Sequence, residues 1–392
     1  MSEHMSQKSG PVVELLQRLI RIPSPNPPGD CRPIAAFCEQ YLLAAGFQVT
    51  CVAPDDRAWS VVATAGRSDG PSIMYHAHID TVPLGQNARW HFDPFGGEIV
   101  DGRIYGLGSI DDKAPLAAML AVAARLKDCL HRLKGQLVVV GAAEEEVGGQ
   151  LGTKWLAENG YLPPCDFVVV GEQTHNRVAI ANKGVLRATF RVSGRTAHAT
   201  NPARGSNAIN GMAHLILDLE RYGRDTLDRR RHPLLGTASI NVGVIEGGVS
   251  ANVVPDACLI RVDRRTLPGE DPETVMAELQ AIAAARQAAD LERAYTVGDF
   301  QVSNWFQTAA DDPFTRRFLQ ISAEETGAPA EPVGYLPGSD AKHLTGVARR
   351  GMIVFGPGTY ERAHSADEYT EIAELEITYR VLQRFADEVL LG

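Results

Sequence analysis

No apolar run approaches the ~18 to 20 residues needed to span a bilayer, and Met1 to Gly10 is polar, without the apolar core of an export signal. The expectation is a cytoplasmic chain that has no membrane partner. Cysteine is sparse and dispersed: Cys31, Cys38, Cys51, Cys129, Cys165 and Cys258 form no CxxC pair. That argues against a zinc finger or a disulfide framework and leaves them as small buried hydrophobes. Basic clusters are also missing. Lys and Arg number 38 against 48 Asp and Glu, for a net charge of -10. The one basic run, Arg229-Arg230-Arg231, lies beside Asp225 and Asp228 and reads as a solvated helix end. Nucleic-acid binding through the phosphate backbone needs a concentrated positive face, so no nucleic-acid partner is expected. Repeats and low-complexity tracts are absent. What remains, 44% hydrophobic and 22% charged residues over 392 positions, is a globular composition too long for one ordinary core.

Apolar periodicity divides the chain. Val12, Leu15, Leu16 and Leu19 repeat at helical spacing, as do Phe37, Tyr41, Leu42 and Ala45 ahead of Gly46. Short apolar strands follow at residues 47–53, 59–65, 72–78, 136–142 and 167–171, with a helix from Pro115 to about Lys127 between the third and fourth. This predicts an α/β sheet covered by helices. From Gly184 the pattern changes to strands at 185–192, 237–245 and 257–264 and helices at 206–222 and from Asp271-Pro272-Glu273 to about Ala288. A helix, a strand and a helix then resume at 313–325, 351–355 and 372–391. The boundaries expected are 1–183 and 298–392 for one discontinuous domain, with 184–297 as an inserted α+β domain.

Acidic and histidine side chains gather where the apolar runs end. Glu144-Glu145-Glu146 follows Leu137 to Ala143 and precedes Gly148-Gly149. Neighbouring residues of an extended segment point in opposite directions, so the three acids cannot share one task. His78-Ile79-Asp80 ends the strand at 72–78, and its two polar side chains face one way; a carboxylate two residues on suits the free ring nitrogen of a metal-bound histidine. Asp111-Asp112 precedes the Pro115 helix, where capping accounts for one acid and leaves the other as a ligand candidate. Val168-Val169-Val170-Gly171-Glu172 is a further strand ending in an acid, and His364 sits in a turn-rich segment after Gly356-Pro357-Gly358. Each has a plain alternative as a solvated turn, a cap or a surface histidine. Taken together they place His, Asp, Glu, Glu and His at the strand and loop ends of one α/β domain, where ligands gather at the carboxyl edge. A nitrogen and oxygen set without thiolate suits zinc, manganese or cobalt. Five ligands exceed one tetrahedral ion, whereas two ions sharing a carboxylate use them all.

In order along the chain stand Ala77-His78-Ile79-Asp80-Thr81-Val82-Pro83, Asp93-Pro94-Phe95, Asp101 to Gly106 through Asp111-Asp112-Lys113, Glu145-Glu146-Val147-Gly148, Gly171-Glu172, Gly194 to His198, Asn252-Val253-Val254-Pro255 and the His364 segment. With these motifs the chain resembles the co-catalytic zinc amidohydrolases, the family of acetylornithine deacetylase, succinyl-diaminopimelate desuccinylase, aminoacylase-1 and carboxypeptidase G. The resemblance implies a zinc-peptidase-like catalytic domain, a mixed sheet between helices, with residues 184–297 as a lid that forms a homodimer. It implies two zinc ions, with cobalt or manganese as substitutes: His78, Asp111 and Glu172 on one, Asp111, Glu146 and His364 on the other. Asp80 would orient His78, Glu145 would be the general base, and His198 would reach a neighbouring subunit's site to stabilise an oxyanion. Asn252, Arg265 and the turn at Gly338 would hold substrate, with a structural ion pair as the alternative for Arg265.

Leu107, Ala114-Pro115 and Gln173 depart from the family pattern near the site, which leaves the substrate open rather than the metal. His76 and His175 are extra histidines nearby, His175 a candidate substrate contact. The activity implied is hydrolysis of the amide of a small N-acyl amino acid. Alternatives are a dipeptidase or carboxypeptidase reaction, hydrolysis of another C-N bond such as an aryl amine, or a non-catalytic binding protein.

Overall fold

The computed structural model describes residues 10–85 and 89–392, and the chain divides into two compact units, Met1–Ile180 with Gln307–Gly392, and Ala181–Phe306. The first is built on a sheet whose strands run in the order Gln48–Val52, Ser60–Gly66, Gln136–Ala142, Ser72–His78, Cys165–Gly171, Ala348–Phe355, Ala179–Asn182 and Phe306–Gln307, with Val333–Tyr335 also paired to Ala179–Asn182. The four strands from Gln136–Ala142 to Ala348–Phe355 are mutually parallel, so their carboxyl ends share one edge. Ser72–His78 is buried at every position, as expected of a parallel strand covered on both faces.

The helix Lys113–Leu126 packs on Pro11–Ile20 and Ile372–Leu390 and is apolar almost all round, the mark of a buried helix. Stacked and edge-on rings of Phe167, Phe314, Phe318, Phe355 and Phe385 fill the space beside the sheet. A separate three-stranded sheet joins Tyr369–Glu371, Arg103–Tyr105 and Glu98–Val100, and so ties the chain just after His364 to the chain just before Asp111.

The second unit is a four-stranded antiparallel sheet in the order Ser239–Gly247, Ala257–Thr266, Gly184–Ser193 and Ala294–Ser303. Alternation in Ala257–Thr266 turns Cys258, Ile260 and Val262 onto one face, where Met212, Leu215 and Leu219 of the helix Ala208–Asp225 and Val275 and Leu279 of the helix Pro272–Ala289 meet them. Asn207 and Asp271 cap those helices by accepting the N–H groups of Asn210 and Thr274. The architecture is the α/β fold with an inserted α+β unit that the sequence predicts. The arginine run is a solvated helix end at Arg229 and Arg231, which are exposed, but Arg230 is half-buried, its guanidinium paired with Glu270 at 2.7 Å and with Glu278. These acids lie far along the chain, outside the window that made the arginine run look exposed.

Candidate metal centre

Each of the four adjacent parallel strands delivers a functional side chain as it ends: His78, the Glu144–Glu146 triplet, Glu172 and, after the Gly356–Gly358 turn, His364. Asp111 comes from the loop that enters the helix Lys113–Leu126. At that helix Asp112 holds the capping position but does not cap: its Oδ2 accepts the backbone N–H of His78 at 3.1 Å, and its Oδ1 is buried without a hydrogen-bond partner.

Asp111 is the hub. Its Oδ1 lies 2.9 Å from His78 Nε2 and its Oδ2 3.1 Å from His364 Nε2, which is in turn 3.2 Å from Glu146 Oε2. His78, Asp111 and Glu146 offer donor atoms all within 4.8 Å of one another, the single group of this kind found among the described residues. Glu172 stands outside that trio, buried, with Oε2 accepting from Tyr335 Oη at 2.9 Å and Gln173 Nε2 at 3.1 Å. The Asp111 loop is pinned from below by Glu368, which accepts the N–H groups of Ile110 at 2.9 Å and Asp111 at 3.3 Å, and by the buried Lys113, whose Nζ donates to the Ile22 carbonyl at 2.9 Å.

The glutamate triplet is divided by its backbone. Glu144 adopts φ +70°, which turns the chain out of the strand, and its side chain accepts the Leu151 N–H. Glu145 and Glu146 then turn inward, their N–H groups donated to Asp80 Oδ1 at 3.1 Å and Oδ2 at 3.3 Å, while Asn26 Nδ2 donates to Oδ2 at 3.0 Å. Asp80 therefore anchors the turn; His78 Nδ1 meets its carbonyl at 3.0 Å and its carboxylate at 3.5 Å. Gly149 closes the loop at φ +71°, where a Cβ would come within 2.6 Å of Asp340 Oδ1.

Electrostatically the site holds too much buried negative charge for its own cations. Burial pushes Asp112 and Glu172 well above the carboxylate range and Glu145 to about 7, neighbouring carboxylates adding to each. Lys342, 3.1 Å from Glu145 Oε1, opposes the rise. Burial acts on Asp111 in the same sense, but His364 and His78 outweigh it and hold the group low. Contacts with Asp111 and Glu146 raise His364 to about 10. Oxygen and imidazole donors converging where carboxylates repel, with Asp112 Oδ1 buried and unpartnered, fit a divalent cation.

His198, Asn252 and Arg265 belong to the second unit. There, His198 is exposed with Nδ1 2.9 Å from Thr200 Oγ1, Asn252 Oδ1 accepts from Ser250 Oγ at 2.6 Å, and Arg265 Nε pairs with Asp263 at 2.7 Å. Gly338 is exposed, with nothing near its would-be Cβ, and leads into buried Ser339 and Asp340. His76 is fully buried against Thr153 Oγ1 at 2.8 Å, which donates to Asp340 at 2.6 Å, and His175 pairs with Glu374 at 2.8 Å. Lys342, Tyr335, Glu368 and Asn26 were not singled out by the sequence. Lys342 and Tyr335 come from short elements, Ala341–Leu344 and Val333–Tyr335, with no period to mark them; only the acid four residues after His364 was a signal for Glu368.

A model of peptidase family M20/M25/M40 matches residues 74–388. An acetylornithine deacetylase of Myxococcus xanthus is 32% identical over 362 residues, and one of Vibrio cholerae serotype O1 is 30% identical over 355, each alignment covering 90% of both chains. Among solved structures, a tripeptidase from Staphylococcus aureus superposes with a TM-score of 0.78 at 23% identity, over 97% of this chain and 98% of that one, a likeness of fold.

Proposed function

The chain belongs to peptidase family M20/M25/M40 as a metal-dependent hydrolase, and from that premise we propose that it deacylates a small N-acyl amino acid. Asp111 carries the reading, since its two oxygens face two different histidines, at 2.9 Å and 3.1 Å. That divergence supports two cations sharing one carboxylate. His78, Asp111 and Glu172 would hold one, Asp111, Glu146 and His364 the other. Zinc at these positions, or cobalt or manganese in its place, supplies Lewis acidity and lowers the pKa of the attacking water.

The chain's own groups do the rest. Glu145 takes the proton from water and returns it to the leaving amine, a role suited to a carboxyl that burial raises to about 7. Asp80 keeps Glu145 and Glu146 facing inward by accepting both of their backbone N–H groups. We assign residues 1–183 and 298–392 to the catalytic domain and 184–297 to a lid and homodimer interface in a cytoplasmic protein. His198 would stabilise the tetrahedral oxyanion across the dimer, and Asn252, Arg265 and the Gly338 turn would hold the substrate. The deacetylase relatives at 30% and 32% identity support an N-acyl amino acid over a peptide.

The test is zinc-loaded protein assayed against N-acetyl and N-succinyl amino acids, dipeptides and aryl amines, beside a chelated control. Turnover confined to N-acyl amino acids supports the reading. Turnover of dipeptides or aryl amines alone overturns the substrate assignment, and equal rates with and without chelator overturn the metal role.

A further inference from the structure

Glu172 is held by a grip that none of the roles above accounts for. The residue is 4% exposed, and two donors converge on the same oxygen, Oε2: Tyr335 Oη at 2.9 Å and Gln173 Nε2 at 3.1 Å. Gln173 Oε1 lies 3.0 Å from the same hydroxyl, so carboxylate, phenol and amide close a triangle. The phenol has one proton, and a carboxylate kept ionised by a bound cation is the stronger acceptor, which directs it to Glu172. Tyr335 is buried, and Tyr360 meets its ring edge-on with centroids 6.5 Å apart, so the hydroxyl has little room to swing. Seven residues on, the same segment brings Lys342 to Glu145.

We propose that Tyr335 and Gln173 are positioning residues for Glu172: by occupying Oε2 they leave Oε1 as its one donor to a metal ion, and so set the affinity and coordination number of that position. The inference rests on the reading of Glu172 as a ligand. A carboxylate free to rotate would offer either or both oxygens, with a more variable shell. Partners that hold a ligand from behind typically contribute about 10- to 100-fold in metal affinity.

The experiment titrates metal-free protein with Co2+, following visible absorption, whose intensity reports coordination number, and obtains affinities by competition with a chromophoric chelator. Wild type, Glu172→Gln, Tyr335→Phe and Gln173→Met are compared. The result expected is that Glu172→Gln loses one of the bound ions, while Tyr335→Phe and Gln173→Met each weaken that same ion by about tenfold or more and alter its spectrum. Loss in Glu172→Gln, with unchanged affinity and spectrum in the other two, overturns the inference and leaves the ligand reading intact. Unchanged binding in Glu172→Gln sinks the ligand reading, and the inference with it. Should Tyr335→Phe fail to fold, Gln173→Met decides by the same criteria.

Discussion

Replacing Lys342 with Met removes the cation beside the proposed base and keeps most of the side chain's bulk. Nζ is 3.1 Å from Glu145 Oε1, and the two side chains are 10% and 14% exposed. At that separation and an effective dielectric constant of ~20, the attraction is about 5 kcal/mol, an upper bound. Opposite charges this close move a carboxyl by about 1 to 3 pKa units. Glu145 stands at about 7 with burial raising it and Lys342 pulling it down, so loss of the lysine moves it further up. A base works only when deprotonated, so the acid limb of the kcat/KM profile moves to higher pH, by about 1 to 2 units. Bound cations lower both limbs and preserve the displacement between enzymes. On the wild-type plateau just above its limb, Lys342→Met should lose about 10- to 100-fold, and at higher pH it should recover, because each unit is tenfold. Lys342→Arg keeps the charge and should stay close to wild type. The assay is kcat/KM for an N-acyl amino acid from about pH 5 to about pH 9, with metal content measured alongside. An unmoved limb refutes the reasoning. So does a loss equal at every pH, which would mean that Lys342 touches the substrate.

Other perturbations follow from the same geometry. Glu145→Gln should retain metal, read by elemental analysis, and lose about 10²- to 10⁴-fold in kcat. Asp80→Ala strands the N–H groups of Glu145 and Glu146 and the Asn26 amide, at about 1 to 3 kcal/mol each. Urea unfolding of the metal-free protein should show a loss of about 3 kcal/mol or more, and a change below 1 kcal/mol would contradict the anchoring role. Gly149→Ala adds a Cβ at φ +71°, 2.6 Å from Asp340 Oδ1, and should destabilise by about 2 kcal/mol in the same measurement. Stripping metal with a chelator should lower the thermal midpoint in step with activity, both returning on readdition.

The sequence made the parallel strands legible because both of their faces are buried, which leaves unbroken apolar runs such as Leu137 to Val140. Ligands at strand ends came with them, since a run that stops at an acid or histidine marks both the boundary and the candidate. Less visible were elements defined by partners rather than period. Glu98–Val100, Arg103–Tyr105 and Tyr369–Glu371 are three residues each, and only their mutual pairing makes them strands. Ala294–Ser303 was missed for a different reason: its pairing slips between Gly298 and Gln301, which breaks the alternation. Lys342 and Tyr335 were hidden because an isolated lysine or tyrosine has a dozen ordinary uses; only the fold shows which carboxylate each one meets.

The strand Ala348–Phe355 lies inside the large sheet, between Cys165–Gly171 and Ala179–Asn182, yet it is the last of that sheet's strands to be synthesised. During translation Cys165–Gly171 waits as an open edge while the whole segment Ala181–Phe306 is made, a template for pairing with other chains. His364 leaves the ribosome only after that strand, so a nascent chain acquires its full metal centre no earlier than the means to close its sheet. Metal loading thus marks a finished molecule, and a chain cut short before residue 348 would carry Glu172 at the end of an edge strand that invites aggregation.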